Sequence, residues 1–371
     1  MAASGEELHN IETDVGTLHV YTQGNRQPEV DILTLHDLGC NHKVFYELAK
    51  HPAFTNISKR ARWIHIDIPG QEDDAADLPT DYNFPTMQKL GESLIQVLQH
   101  LKINQVVCLG EGAGANILAR FAMKYDENVL GICLIQCTGT TAGFMETMKD
   151  KIITYKLSHH GMNTTTINYL ETHRFGSDKC LPTIREKGDA NAMEVNPGHK
   201  QTVDKMIEEF KKDLKTKINP KNLQKFVETF LYRTQLINRA SELKCPVLLS
   251  TGSKSAHNHT VHTLHSALST KVVDKSKIEL VEIDGVANVL AQAPEKFVES
   301  FQYFLQGCGK MGHVQMHHVN RQGFRNRSMS MEEADLPRGA DSLSSTPTRK
   351  YSQQYSSSPP EEGSLLNTPP Q

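Results

Sequence analysis

The sequence lacks the features that place a protein in a membrane or on nucleic acid. No stretch approaches the roughly 18 apolar residues that suggest a membrane span. Residues 1–16 contain neither the basic nor the apolar segment of a secretory signal. The chain has 40 lysine and arginine residues against 43 acidic residues, and the basic residues are not massed in any one region, as they are in DNA-binding proteins. We therefore expect neither an integral membrane segment nor a nucleic-acid partner.

Cysteine is also sparse, with seven residues in 371. The number is odd and the positions are scattered, which does not suggest a disulfide framework. Cys108 and Cys133 lie inside apolar runs, where a thiol behaves as a small hydrophobe. We infer a reducing compartment and expect a cytoplasmic protein. No lipid-anchor motif is present, so any membrane recruitment would be peripheral.

Short apolar runs alternate with amphipathic helical stretches from residue 8 to about residue 306. The runs are continuous rather than alternating, as expected for a parallel sheet covered on both faces by helices. An initial hairpin, turning at Asp14–Gly16, precedes repeated strand–helix units, which indicates a doubly wound α/β fold. We predict strands at 30–35, 62–68, 104–110, 130–136, 245–251 and 277–283, and helices at 87–101, 113–124 and 294–307.

Two intervals depart from this alternation. Between about 141 and 240 only helical patterns occur, which predicts a helical cap inserted between two strands and placed above the sheet. From about 311 the chain becomes rich in serine, threonine and proline and poor in large apolar residues. Such a segment cannot bury enough apolar surface to offset its ordering entropy. We therefore predict a body over 1–310 and a disordered tail over 311–371.

The segment 106–122 passes from a predicted strand through a glycine-rich turn into a predicted helix. A dinucleotide site is one interpretation, but the third glycine is misplaced and no acidic strand end follows about 20 residues later. The other is a nucleophile elbow, G-x-S-x-G, in frame at Gly110–Gly114. The nucleophile position is then Gly112, which has no side chain and can form no acyl intermediate.

The other two members of a catalytic triad are missing as well. Where an aspartate is expected after the strand that follows the cap, the chain has Ser253 and Ser255. Where the histidine is expected before the last helix, it has Ala287 and Asn288. Three losses together indicate an α/β-hydrolase fold without hydrolase chemistry. We therefore predict no catalytic residues and no cofactor.

Three polar residues lie near the predicted site and are candidates for the lining of a pocket: His36, Asp37 and Glu111. Glu111 could act as a base, although a solvent-facing carboxylate and a structural, hydrogen-bonded His36 are the simpler interpretation. The histidines at 257, 259, 262 and 265 suggest a metal site. No cysteine or carboxylate joins them at ligand spacing, so surface histidines are the simpler interpretation and no metal is predicted.

Four segments together resemble the N-myc downstream-regulated gene (NDRG) family: LHDLGCNHKVF (35–45), HIDIPGQEDDAADLP (65–79), GEGAGANILARFA (110–122) and YFLQGCGKM (303–311). The resemblance implies an α/β-hydrolase fold without hydrolase activity. It also implies a cytoplasmic signalling protein linked to stress response, differentiation, growth control or vesicle trafficking. The tandem repeats of some family tails are absent.

The resemblance further implies a tail phosphorylated by Ser/Thr kinases. Arg325 and Arg327 precede Ser330 in the basophilic R-x-R-x-x-S pattern, and Ser328 is a weaker match. Thr346, Ser358 and Thr368 each precede proline and fit proline-directed kinases. A phosphate adds nearly two negative charges and strong hydrogen-bond acceptors to a flexible segment.

Three functional hypotheses follow from the sequence. The first is a non-catalytic adaptor that binds proteins through its body and is regulated through its tail. The second is a binder of small molecules or lipids in a cavity beneath the cap. The third, disfavoured by Gly112, is a cryptic hydrolase that uses a non-standard group such as Glu111.

Overall fold

A single eight-stranded sheet forms the centre of the molecule. The computed structural model describes residues 4–141, 154–176, 197–272 and 274–314. The strand order is β1-β2-β4-β3-β5-β6-β7-β8. β1 pairs with β2 and β2 with β4 in antiparallel fashion, and all other neighbours are parallel. The strands are β1 (Ser4–Thr13), β2 (Gly16–Gly24), β3 (Val30–Leu35), β4 (Ala61–Asp67), β5 (Val106–Glu111), β6 (Val129–Ile135), β7 (Val247–Gly252) and β8 (Ile278–Ile283).

Helices connect the parallel strands and cover both faces of the sheet. Residues 154–160 are also helical, and short 3-10 turns span Pro52–Phe54, Asp126–Asn128, Leu236–Glu242 and Lys275–Lys277. The α-helices are α1 (Lys43–Lys50), α2 (Thr55–Ser58), α3 (Met87–Leu101), α4 (Gly112–Lys124), α5 (Thr164–Phe175), α6 (Pro197–Thr216), α7 (Pro220–Leu231), α8 (Asn258–Lys271), α9 (Val289–Gln292) and α10 (Pro294–Gly307).

The predicted α/β-hydrolase fold is confirmed, and the predicted elements lie within two residues of their observed bounds. The hairpin turns at Asp14–Gly16 as expected. The one shift that matters for function concerns β5, which extends to Glu111, so that α4 begins at Gly112. The glycine at the predicted nucleophile position is therefore the first residue of a helix that starts directly from the strand.

The hydrophobic core has two layers, one on each face of the sheet. Successive residues of β5 contribute to different layers: Val106 and Cys108 to one, Val107 and Leu109 to the other. All four are fully buried, which explains why the strand is continuously apolar rather than alternating. The layer containing Val107 also receives the aromatic side chains of α1 and α10 and extends to Met311 and Val314. The packed body thus continues four residues beyond the predicted boundary at 310.

Within the described part of the interval 141–240 there are helices and no strand, as predicted for the cap. Asn219 caps α7 by accepting from the N–H groups of Lys221 and Asn222, and Pro220 occupies the first helical position. The cap is anchored to the body by Asn222, which donates to the carbonyl oxygens of Gly70 and Ala76 at 3.2 and 2.8 Å. The cap is therefore bonded directly to the loop that follows β4.

The predicted tail, apart from residues 311–314, lies outside the described residues, and the five predicted phosphorylation sites lie there too.

Across the portion of the chain that the structure describes, no helix is long and apolar enough to span a membrane. Six cysteines are described and none of these forms a disulfide.

Candidate functional site

The strand–helix turn at the end of β5 has the geometry of a nucleophile elbow without a nucleophile. Gly112 has a φ of 53°, in the left-handed region. A β-carbon at this position would lie well inside van der Waals contact of the Asp37 carboxylate. One at Gly114 would overlap the carbonyl groups of Leu35 and His36. A β-carbon at Gly110 would lie 2.8 Å from the backbone of Ala115, so the close strand–helix approach requires both flanking glycines, and position 112 itself has no room for a side chain.

Asp37, which follows β3, fills the space above the elbow. Its Oδ1 accepts a 2.8 Å hydrogen bond from the N–H of Ala113. In α/β-hydrolases the N–H of the residue after the nucleophile helps to form the oxyanion hole. Asp37 Oδ2 lies 3.0 Å from Nε2 of His173, which α5 brings down from the cap. The donor that would stabilise a reaction intermediate is therefore occupied by a carboxylate of the protein itself.

The electrostatic environment keeps Asp37 ionised. Burial raises the pKa of its carboxyl group, because an apolar surrounding disfavours charge. The charge of His173 and the hydrogen bonds from His173 and from the N–H groups of Ala113 and Leu38 outweigh this effect and lower the pKa to about 2. Asp37 thus behaves as a resident anion in the oxyanion site.

Glu111 is fully buried, which corrects the expectation that it faces solvent. Its Oε1 accepts a 2.7 Å hydrogen bond from Nδ2 of Asn288, and its Oε2 lies 3.6 Å from Nη2 of Arg174. Burial raises the pKa of Glu111, and the nearby Arg174 opposes that rise. The residue lies in the sheet because β5 continues through position 111, one residue further than its apolar run predicts.

His36 is a hydrogen-bonded structural residue, and this part of the sequence interpretation is confirmed. Its Nδ1 donates to the Asp37 carbonyl oxygen at 2.9 Å, and its Nε2 accepts from the N–H of Ile68 at 3.2 Å. These two bonds together require the neutral ring with the proton on Nδ1. Burial also lowers the pKa of His36, which favours the same neutral form of the ring. The ring holds the loop after β3 against the end of β4.

The residues at the positions where the sequence predicts a lost acid and a lost histidine form local contacts. Ser253 donates to Asp284 Oδ1 at 2.8 Å and accepts from the N–H of Gly285 at 2.9 Å, and Ser255 accepts from the N–H of His257 at 3.1 Å. The Ala287 carbonyl oxygen accepts from the Gln136 side chain at 2.6 Å, and Asn288 is bound to Glu111. Only Asn288 among these residues reaches the elbow.

The four histidines that suggest a metal site differ in their exposure. His259 and His262 are exposed, and His262 pairs with Glu282 at 2.6 Å. The prediction of a surface histidine is wrong for His257. Its ring centre lies 4.5 Å from that of His173, and its Nε2 is buried without a hydrogen-bond partner. Burial lowers the pKa of His257 to about 3. No group of three or more metal-binding side chains occurs among the described residues.

Two residues at the centre of the site, His173 and Arg174, were not singled out from the sequence. Both belong to the last turn of α5, a helix with little amphipathic pattern, and no motif marks them. Arg174 is buried beside Glu111, its Nη1 contacts the Cys40 sulfur, and its guanidinium lies 5.2 Å from the Phe210 ring centre. The cap therefore contributes the two basic side chains that contact Asp37 and Glu111.

A cavity of about 620 Å³ opens at the junction of α1, α6 and α9 and reaches Arg174 and Cys40. Phe175, Phe210 and Leu290 provide much of its apolar wall. His36, Asp37 and Glu111 are not among the lining residues, because cap side chains cover them. A pocket-lining role for these three stays a prediction.

Comparison with known proteins identifies both a family and a fold. A sequence model of the Ndr family matches residues 8–312. The chain is 38% identical over 328 residues to an uncharacterized protein of Caenorhabditis elegans, covering 87% of this chain and 90% of that protein. It is 32% identical over 327 residues to Protein NDRG1-A of Xenopus laevis, covering 84% and 74%.

Several solved structures share the fold at low identity. An esterase from Thermogutta terrifontis superposes with a TM-score of 0.63 at 12% identity, covering 82% of this chain and 99% of that chain. An enol-lactonase from Burkholderia xenovorans has a TM-score of 0.62 at 14% identity, covering 81% and 100%. Identities this low establish a shared architecture and carry no statement about chemistry.

Proposed function

The chain belongs to the Ndr family, and from this premise we propose that it is a non-enzymatic signalling or adaptor protein built on an α/β-hydrolase body. In this proposal the body binds protein partners and the tail regulates binding through phosphorylation. The proposed setting is the cytoplasm, in stress response, differentiation, growth control or vesicle trafficking, as the sequence resemblance implies.

The observation that supports the absence of hydrolysis is the position of Asp37 over Gly112. A serine at position 112 would need the space that the Asp37 carboxylate fills, and an oxyanion would need the Ala113 N–H that Asp37 already binds. A buried anion there would also repel the developing negative charge of an acyl-transfer intermediate. The body thus disfavours both the attacking group and the transition state.

Hydrolysis is tested with the purified full-length protein against short- and long-chain esters and a serine-directed fluorophosphonate probe. We expect no turnover above buffer and no covalent labelling. The decisive variants are Glu111→Gln and Asp37→Asn, with Glu299→Gln as the matched control because Glu299 is exposed on α10 and does not line the cavity that reaches Arg174. Turnover that copurifies with the protein and falls in either site variant, but not in the control, would overturn the proposal.

The adaptor role is tested by comparing the proteins cross-linked to the full-length chain in cells with those cross-linked to Ser330→Ala and Ser330→Glu variants. The proposal expects a set of partners whose recovery changes between the two variants. Identical recovery with wild type, alanine and glutamate would contradict regulation through Ser330. Recovery of no specific partner by any of the three would contradict the adaptor role.

A second candidate function is binding of a small amphiphilic molecule in the cavity beside Arg174. The observation that favours it is the pairing of an apolar wall with a buried guanidinium in one space of about 620 Å³. Native mass spectrometry of gently purified protein would detect a copurifying ligand. A Phe210→Glu variant, which places a charge on the wall, should lose that ligand if it occupies this cavity.

A further inference from the structure

A second cavity, which we call the arginine pocket, lies where the start of α3, the end of α4 and the end of α7 meet. Its volume is about 640 Å³, and it shares no lining residue with the cavity beside Arg174. The residues of its wall that carry the argument are Gln88, Arg120, Lys225, Glu228, Tyr232 and Arg233. Its wall combines apolar side chains with several cationic ones.

The most unusual feature of the arginine pocket is Arg120, which is 1% exposed. Its Nε donates to Asn116 Oδ1 at 2.9 Å, and its Nη1 donates to Gln88 Oε1 at 3.3 Å. Two further bonds reach Thr234, at its hydroxyl (2.8 Å) and its carbonyl oxygen (2.6 Å). All of these acceptors are neutral. The guanidinium charge is therefore solvated by dipoles of the described residues rather than by a carboxylate, which is costly for a buried ion.

The nearest charged groups increase that cost. Arg239 contacts the same Gln88 oxygen at 2.5 Å, and its own charge is matched by a two-pronged ion pair with Glu242, at 2.9 and 2.6 Å. Burial lowers the pKa of Arg120, the positive charges of Arg239 and Arg233 act in the same direction, and the pKa falls to about 10. The charged side chains that act on Arg120 are thus positive, and the Glu242 carboxylate is already engaged by Arg239.

The remaining wall is suited to an anion. Arg233 is 8% exposed and donates to Thr138 Oγ1 and to the Thr140 carbonyl oxygen, which fixes its position. Lys225 lines the pocket from α7, opposed by a single acidic residue, Glu228. The N-terminal turn of the 15-residue helix α3, capped by Thr86, also faces the pocket and adds partial positive charge. Three cations against one acid leave the wall net positive.

We propose that the arginine pocket binds a phosphate monoester group, carried by a small molecule or by a lipid headgroup. The positive charges of Arg120 and Arg233, held in place by their hydrogen bonds, attract a phosphate, and Lys225 adds a mobile ammonium donor. A dianion would supply the counter-charge that the protein does not provide for Arg120. Tyr232, which is 69% exposed, stands at the rim to contact the organic part of the ligand.

The proposal is tested by isothermal titration calorimetry of the full-length protein with inorganic phosphate and glycerol phosphate. We expect saturable binding that weakens with salt and that Lys225→Glu weakens by about tenfold, the scale of one charge-assisted hydrogen bond. The matched control is Lys221→Glu, one turn earlier on α7 and outside the pocket, which should bind as wild type. Arg120→Met is a second variant. If it does not fold, the comparison of Lys225→Glu with wild type still decides the test.

The two sources of the phosphate group are separated by a flotation assay. Binding to vesicles that contain phosphatidic acid, but not to vesicles of equal charge made with phosphatidylserine, would assign a lipid headgroup. Binding of glycerol phosphate without vesicle binding would assign a small molecule. Absence of saturable binding to wild type, or equal binding by wild type and Lys225→Glu, would overturn the proposal.

Discussion

Asn288 Nδ2 donates a 2.7 Å hydrogen bond to Glu111 Oε1 and thereby joins the position of the absent histidine to the residue before the absent nucleophile. The two residues are 177 positions apart in the chain. In a hydrolase these strand ends would exchange a proton during catalysis. Here an amide and a carboxylate hold each other in a buried, static contact.

Replacing Asn288 with alanine should destabilise the protein by about 2 to 4 kcal/mol, because it removes the N-cap of α9 and leaves a buried carboxylate oxygen unsatisfied. Urea denaturation followed by the fluorescence of Trp63, the sole and fully buried tryptophan, measures the change. The control is Asn163→Ala, which removes the N-cap of α5 and a long, 3.3 Å bond to the Gly161 carbonyl oxygen, and should cost about 1 kcal/mol. Equal losses in the two variants would mean that the Glu111 bond contributes nothing.

Gly112→Ser should lower the free energy of unfolding by about 2 to 4 kcal/mol and should not produce esterase activity. The left-handed backbone and the overlap with Asp37 both oppose the new side chain. Adding Asp37→Ala should recover part of the lost stability by removing the overlap. The same urea titration checks both variants. A Gly112→Ser protein as stable as wild type would contradict the packing described here.

Asp37 should make the stability of the fold depend on acid. Its pKa is about 2 when folded, below its ordinary value of 3.8, so the folded state binds fewer protons and the stabilisation is present above about pH 4. It is lost as pH falls from about 4 through 2, and amounts to about 2 kcal/mol. Asp37→Asn should lack this component. Urea denaturation of both proteins at several pH values in that range would show parallel curves if the expectation is wrong.

Ser330 should be the main acceptor for a basophilic kinase acting on the full-length protein. Ser330→Ala should remove most phosphate incorporation, and Arg325→Ala should reduce it, because the R-x-R-x-x-S pattern loses an arginine. Ser328→Ala is the matched control and should have a small effect. Phosphopeptide mass spectrometry gives the site directly. Incorporation that survives Ser330→Ala would assign the kinase site elsewhere.

Several features of the site could be predicted from local sequence. The run 106–122 was sufficient to locate the elbow, because a strand, three closely spaced glycines and an alanine-rich helix meet only where backbones approach closely. Residue 112 is a glycine, so the sequence alone shows that no side chain can serve as a nucleophile at this position. The helix from Pro294 to Gly307 was predicted at its exact bounds, since proline and glycine mark helix ends by their backbone chemistry.

Other features depended on contacts between distant segments. Glu111 was expected at the surface, yet the sheet buries it, because neighbouring strands and the cap decide what lies above a strand end. His173 and Arg174 carry no motif, and only the packing of α5 on the body brings them to Asp37 and Glu111. The absence of a side chain at position 112 was thus readable from the sequence alone. The carboxylate that fills its place comes from another strand, and long-range packing leaves no local pattern in a sequence.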